Sequence, residues 1–281
     1  MRSLLELEAF ATISDNLQAI AKSIDKSEHL TLLVPPSPTG AAASAQLEAA
    51  LLDSEIPYRR QFTPREASPP CIEITEGEAK DGPVPFSNES MNAKLSPMFA
   101  IGVRGHDGAA HRGVLSPVAQ AAALAELISP DGKRMRKIRP WLLAGNWWAS
   151  GLDQGYDPIY SALRDHLKEE GGVRILPLPE VDNPDMTRLS KIDSERDTTT
   201  REAWPAMDLD DKANALSTLI LPQVVSENPS TARLEELIWH RVKISSSGKD
   251  LHSSMVAARS MWDGSPKSTA DLVDAIVSDS I

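Results

Sequence analysis

A single cysteine, Cys71, stands in 281 residues. An internal disulfide is therefore impossible, as is a metal cluster built from thiolates alone, and a lone thiol suits a reducing compartment. Long apolar runs are missing too. None approaches the ~18 residues of a membrane span, so no membrane partner is expected. Basic residues are in deficit, 29 against 40 acidic ones, for a formal charge of -11. Proteins that bind nucleic acid over their whole surface are usually basic, so any such contact here needs a local patch. The G-x-S-x-G elbow, the P-loop and G-x-G-x-x-G are all absent, which leaves serine-hydrolase, NTPase and dinucleotide-binding readings unsupported. The opening MRSLLELEAF carries Glu6 and Glu8 where a signal peptide would be uncharged, so a cytoplasmic protein is expected.

The chain is 41% hydrophobic, enough for one large domain or two small ones. Leu4, Leu7, Phe10, Ile13, Leu17, Ile20 and Ile24 recur three or four apart, one face of an amphipathic helix over 3–24. HLTLLVP (29–35) reads as a buried parallel strand. A helix from Gly40 to about Glu55 follows, with Ala43, Leu47, Ala50 and Leu51 inward. IPYRRQFTP begins as a short extended segment, and CIEIT (71–75) is a second good strand that Cys71 opens, its thiol read as buried and structural. A loop is expected over 76–97, a third strand at MFAIGV (98–103), and a helix from Ser116-Pro117 to about Ile128. WLLAGNWWAS and Pro158–Glu170 predict two more helices, and VRILPLP a fourth strand. The alternation predicts a doubly wound, mainly parallel α/β sheet over 1–180 with helices on both faces. A polar loop or linker is expected over 181–210. A mainly helical C-terminal segment over 211–281 should follow, with helices near 209–221, 230–243, 251–262 and 268–280.

The stretch LTLLVPPSPTG, followed by AAASA, runs a strand into a tight loop and then into a helix of small residues. This order resembles the N-terminal domain of the RecJ-type DHH phosphoesterases, above all the divergent archaeal RecJ-like proteins, and the resemblance covers about residues 1–180. The family's first motif is His-x-Asp-x-Asp-Gly. Here Gly40 matches its glycine, while Pro35, Ser37 and Thr39 stand at the ligand positions. CIEIT ends in Thr75 and Glu76 where the family carries an aspartate, and MFAIGV leads to Arg104, Gly105, His106 and Asp107 rather than Asp-His-His. LSPVAQAAALAEL and WLLAGNWWASG fit the helices that follow. The family's second domain is not recognisable in the last hundred residues.

The family resembles two-metal enzymes, whose paired Mn²⁺ or Mg²⁺ ions need carboxylate oxygens. Proline has no side-chain donor atom, and neutral hydroxyls cannot offset two divalent charges. No catalytic residue, no metal and no cofactor is therefore expected. The resemblance implies a non-catalytic interaction or scaffold module, since relatives in this family resemble replicative-helicase scaffolds bound to GINS. Two alternatives stay open. One is a metal-dependent phosphoesterase or single-strand nuclease with relocated ligands, first among them His106, Asp107 and Glu76; the other is an unrelated α/β domain.

Further groups call for placement. RGHDGAAHRG gathers His106, Asp107 and His111, which could hold one metal ion, contact a phosphate or partner, or form a solvated loop. KRMRKIR gathers Lys133, Arg134, Arg136, Lys137 and Arg139, a candidate contact for nucleic acid or an acidic partner and otherwise a solvated loop or helix start. The tryptophans of WLLAGNWWAS read as core.

Overall fold

The structure, a computed structural model, describes residues 2–24, 29–62, 68–82, 85–87, 91–227 and 229–281. The expected extended segment at 56–64 and loop at 76–97 each fall partly outside them. Two 3₁₀ turns lead into α1 (Ser14–Ile24). Then come β1 (Leu30–Leu33), α2 (Pro38–Asp53), β2 (Tyr58–Gln61) and β3 (Cys71–Ile74). β4 (Phe86–Ser87), β5 (Asn92–Leu95), β6 (Met98–Arg104) and β7 (Ala110–Leu115) precede α3 (Pro117–Ile128). Next are α4 (Lys133–Ile138), α5 (Ala144–Trp148), α6 (Gly151–Gln154), α7 (Pro158–Glu169) and β8 (Val173–Leu176). The chain closes with α8 (Ser194–Ala203), α9 (Leu209–Glu227), α10 (Thr231–Ile238), β9 (Arg241–Ile244), α11 (Leu251–Met261) and α12 (Pro266–Ser278). No helix among the described residues is long and apolar enough to cross a membrane.

The fold is α/β, mostly helical, around a mainly parallel five-stranded sheet of order β2-β1-β3-β5-β4. Only β4, at the edge, runs antiparallel. Leu32 lies beside Ile72, Ile72 beside Ala93 and Ile74 beside Leu95, and this apolar face is fully buried. α2 and α3 pack on the sheet and on each other. The next residues along the strands point the other way. There Cys71 meets Asn92 at 3.2 Å and Glu73 pairs with Lys94 at 3.1 Å. α2 is buried continuously from Gly40 to Leu51, which explains its uniform alanine-rich sequence: a helix enclosed on all sides needs no polar stripe, and small side chains let its neighbours approach.

Several expected elements are placed differently. MFAIGV does not enter the sheet; as β6 it forms an antiparallel hairpin with β7, so RGHDGAAHRG supplies a hairpin tip and half a strand. The sheet strand is β5, NAKL, inside the stretch expected to be a loop. Its two apolar residues fall below any recognisable run, and pairing with β3 decides its conformation. VRIL becomes β8, paired antiparallel with β9 and outside the main sheet. β9 ends the segment expected to be helical over 230–243, because α10 stops at Ile238 and the alternating RVKI takes over. The 181–210 segment is no bare linker, since α8 occupies its centre. WLLAGNWWAS splits into a 3₁₀ turn and the short α5.

The C-terminal residues belong to the same core. α12 packs along α2 and touches α4, burying Leu272, Val273 and Ile276. Arg60 of β2 ties this corner together, bridging the buried Glu48 at 3.3 Å and Asp274 at 2.5 Å. Burial raises the Glu48 carboxyl above its ordinary value, while Ser44, Arg60 and Tyr58 oppose the rise.

Candidate functional site

After β1 the chain turns through α2 to β2 on one side, and β3 lies on the other. The strand order reverses at this point, and open parallel sheets hold ligands in the crevice at the carboxyl ends of such strands. A cleft of about 480 Å³ lies there. Its walls include Thr39, Glu76, Arg112, Ser116, Asn146 and Asp157.

The Val34–Gly40 loop sits at this edge, but its side chains shape the backbone. Ser37 is the N-cap of α2: its Oγ accepts from the Gly40 N–H at 2.9 Å and donates to Glu76 Oε1 at 2.5 Å. Pro38 fills the first turn, where a missing N–H costs nothing. Gly40 is required by close approach. A Cβ there would run into the Pro35 carbonyl oxygen and lie 2.9 Å from Pro35 Cγ. Gly40→Ala should destabilise the protein by about 1–3 kcal/mol, because a backbone oxygen cannot rotate aside. A urea midpoint equal to that of the wild type would refute this requirement.

Asp157 is the residue of the cleft that sequence reasoning passed over. It is buried, and its carboxylate caps α7 by accepting from Ile159 N at 2.9 Å and Tyr160 N at 3.0 Å. Asn146 Nδ2 donates to it at 2.8 Å and also to the Val114 carbonyl. An aspartate directly before a proline that opens a helix is a readable N-cap signal. Its place on the cleft wall depends on how α7 docks: α7 lies against the β6–β7 hairpin, with Gly102 and Gly113 leaving room for Pro158 and Ile159.

The relocated-ligand set is not brought together. Glu76 lines the cleft, whereas His106 and Asp107 sit at the exposed hairpin tip and His111 on the adjoining strand, none of them on the cleft wall. Asp107 Oδ1 is engaged in its own turn, accepting from Ala109 N at 3.0 Å. Among the described residues, no three His, Cys, Asp or Glu side chains converge where they could hold a metal ion.

The basic run forms α4 and is matched by carboxylates of the same chain. Arg134 pairs with Asp53 at 3.1 Å, Lys137 with Asp279 at 3.1 Å and Arg136 with Asp131. Asp53 also accepts from the Met135 N–H at 3.0 Å, at the start of α4. Arg139 is withdrawn from any external contact. Its side chain is buried, held by Glu126, Glu170 and the Arg2 carbonyl. The surface reading therefore keeps Lys133, Arg134, Arg136 and Lys137 and loses Arg139. In the sequence it is one of a row of cations, but helical spacing turns it inward beside the buried Met135 and Ile138.

Trp141 and Trp147 are buried, as expected of core. Trp147 stacks on His252 at 4.1 Å, and the Arg233 guanidinium lies over its ring at 4.4 Å. Burial also raises the Cys71 thiol above its ordinary value, which suits an inert side chain. Compared with protein-family models and with curated proteins, the chain matches none.

Proposed function

We propose that this chain is a non-catalytic, DHH-like protein that works as an interaction module in the cytoplasm, its sheet corresponding to the doubly wound domain of the RecJ-type phosphoesterases. One observation carries the reading. The loop at the crevice of the sheet, where that family collects its metal ligands, spends its side chains on starting α2, and Ser37 ties the neighbouring Glu76 into the same task. The two carboxylates of the cleft are engaged separately, Glu76 by Ser37 and Asp157 by the α7 amides and Asn146. Paired ions ~3.5–4 Å apart need several anionic oxygens aimed at one point, and the described residues of this cleft supply none in that arrangement. By resemblance the partners are GINS or a replicative helicase, with nucleic acid reached through Lys133, Arg134, Arg136 and Lys137.

Calorimetry with Mn²⁺ is expected to show no tight two-site binding, and assays on single-stranded DNA with Mn²⁺ or Mg²⁺ no cleavage above buffer. Robust Mn²⁺-dependent hydrolysis that is lost in Glu76→Ala would overturn the proposal and make the cleft an active site.

A further inference from the structure

A second concave site lies between α5, the 3₁₀ turn Thr187–Leu189 and α11. It shares Trp148 with the cleft of the sheet and no other residue. Its volume is about 270 Å³. Trp147, Trp148, Met255 and Val256 supply apolar walls, and Arg188 and Arg259 supply charge. Although the chain carries a net charge of -11, no carboxylate of the described residues lines this pocket.

Asp153 does not balance these two cations. Both of its carboxylate oxygens accept from the buried Arg233, at 2.7 and 3.1 Å. Arg188 reaches it only at 3.7 Å, beyond hydrogen-bond length. Arg259, in the last turn of α11, makes no ion pair among the described residues. Burial lowers the Arg188 guanidinium below its ordinary value, and the charges of Arg233 and Arg259 lower it further against the pull of Asp153. A guanidinium does not shed its proton in a protein, so this repulsion persists until an anion relieves it. The walls add donors. Trp147 is buried and stacked on His252 at 4.1 Å, so its ring is fixed. The Trp147 and Trp148 indole N–H groups bond to nothing among the described residues, and neither is sealed from solvent.

Guanidinium and indole N–H groups can only donate, and an ionised oxyanion mainly accepts. Charge-assisted bonds from arginine to carboxylate or phosphate are the strong ones. Size narrows the choice. Cavities for drug-sized ligands run from about 300 to 1,000 Å³, so this one suits a single ring with one charged head rather than a helix or strand of a partner. Aromatic edges and a methionine thioether favour a flat, apolar body. We propose that this pocket binds a small aryl anion, a carboxylate or phosphate carried on one aromatic ring, with Arg188 and Arg259 at the charged head and Trp148, Met255 and Val256 along the ring.

Calorimetry on the full chain with phenyl phosphate and with benzoate tests this. Both should bind, and salt should weaken them. Inorganic phosphate and acetate, which lack the ring, should bind about tenfold more weakly or less. Benzylamine, the same ring with a cationic head, should not bind. Arg188→Gln and Arg259→Gln should each weaken phenyl phosphate binding by about tenfold or more, the usual worth of a hydrogen bond to a charged group. Arg259 is exposed and makes no ion pair among the described residues, so its variant should melt no lower than the wild type, which separates lost binding from lost fold. The inference is overturned if neither aryl anion binds, if benzylamine binds equally, if phosphate and acetate match their aryl counterparts, or if both variants bind as the wild type does. Silence of the aryl anions beside binding of a Leu/Glu peptide that Arg259→Gln weakens would overturn it in favour of an acidic partner protein. These outcomes are independent of metal chemistry: Mn²⁺-dependent hydrolysis would remove the non-catalytic reading and leave aryl-anion binding in place, and loss of aryl-anion binding would leave the metal test as it stands.

Discussion

Arg139→Met is expected to destabilise the protein by about 3–5 kcal/mol, the usual cost of removing one partner from a buried ion pair. Arg139 is 2% exposed and joins three parts of the chain. It meets Glu126 of α3 at 3.1 Å, Glu170 at the end of α7, and the Arg2 carbonyl at 2.9 Å. Methionine fills most of the volume but, among the described residues, leaves two buried carboxylates with the Leu4 and Arg2 amide N–H groups alone, at 3.2 and 3.3 Å. In a chain of this size, about 1 kcal/mol moves the melting temperature by roughly 2–4 °C, so the variant should melt on the order of 10 °C lower. Adding Glu126→Gln and Glu170→Gln should recover much of the loss, because the penalty comes from uncompensated charge and not from lost packing. A loss below about 1 kcal/mol in the single variant, or no recovery in the triple variant, would contradict this account.

The second large effect is on pH. His252 is fully enclosed, stacked on Trp147 and within 3.0 Å of the Tyr160 hydroxyl. Burial, helped by the charge of Arg241, pulls its imidazole down from 6.5 to about 3. The unfolded chain takes up a proton on this histidine as pH falls through 6.5, and the folded chain does not until about 3. Between these values the unfolded state binds more protons, so stability is greatest above pH 6.5 and falls as the solution is acidified. At about 1.36 kcal/mol per unit the loss accumulates to roughly 5 kcal/mol at the bottom of the window. His252→Phe keeps the stack and removes the titration. It should be less stable at pH 7, where the Tyr160 hydroxyl loses its partner, and should show a flatter decline from pH 6.5 to 4. Urea midpoints at four pH values test this, and parallel acid limbs in the two proteins would rule it out.

Much of the local structure was legible in the residues. The buried strand at 30–33, the Ser116 cap, the alanine-rich α2 and α3 and the core tryptophans all follow from periodicity and capping chemistry, which act over a few residues. So does the state of the Pro35–Gly40 loop: a proline, a serine and a threonine cannot supply carboxylate oxygens in any fold. What the chain alone could not settle is how these pieces meet. β5 has two apolar residues and becomes a strand because β3 offers it a partner; β6 has a strong apolar pattern and pairs with β7 outside the sheet. Asp157 reads as a cap and ends on a cleft wall because α7 docks on the hairpin. Arg139 reads as one more surface cation and is buried, since two glutamates distant in sequence wait for it. Hydrogen-bond caps and helical periodicity are short-range and written in neighbouring residues. Strand pairing, helix docking and charge burial depend on groups tens to more than a hundred positions apart, and their free energies exist only once the chain has closed around its core.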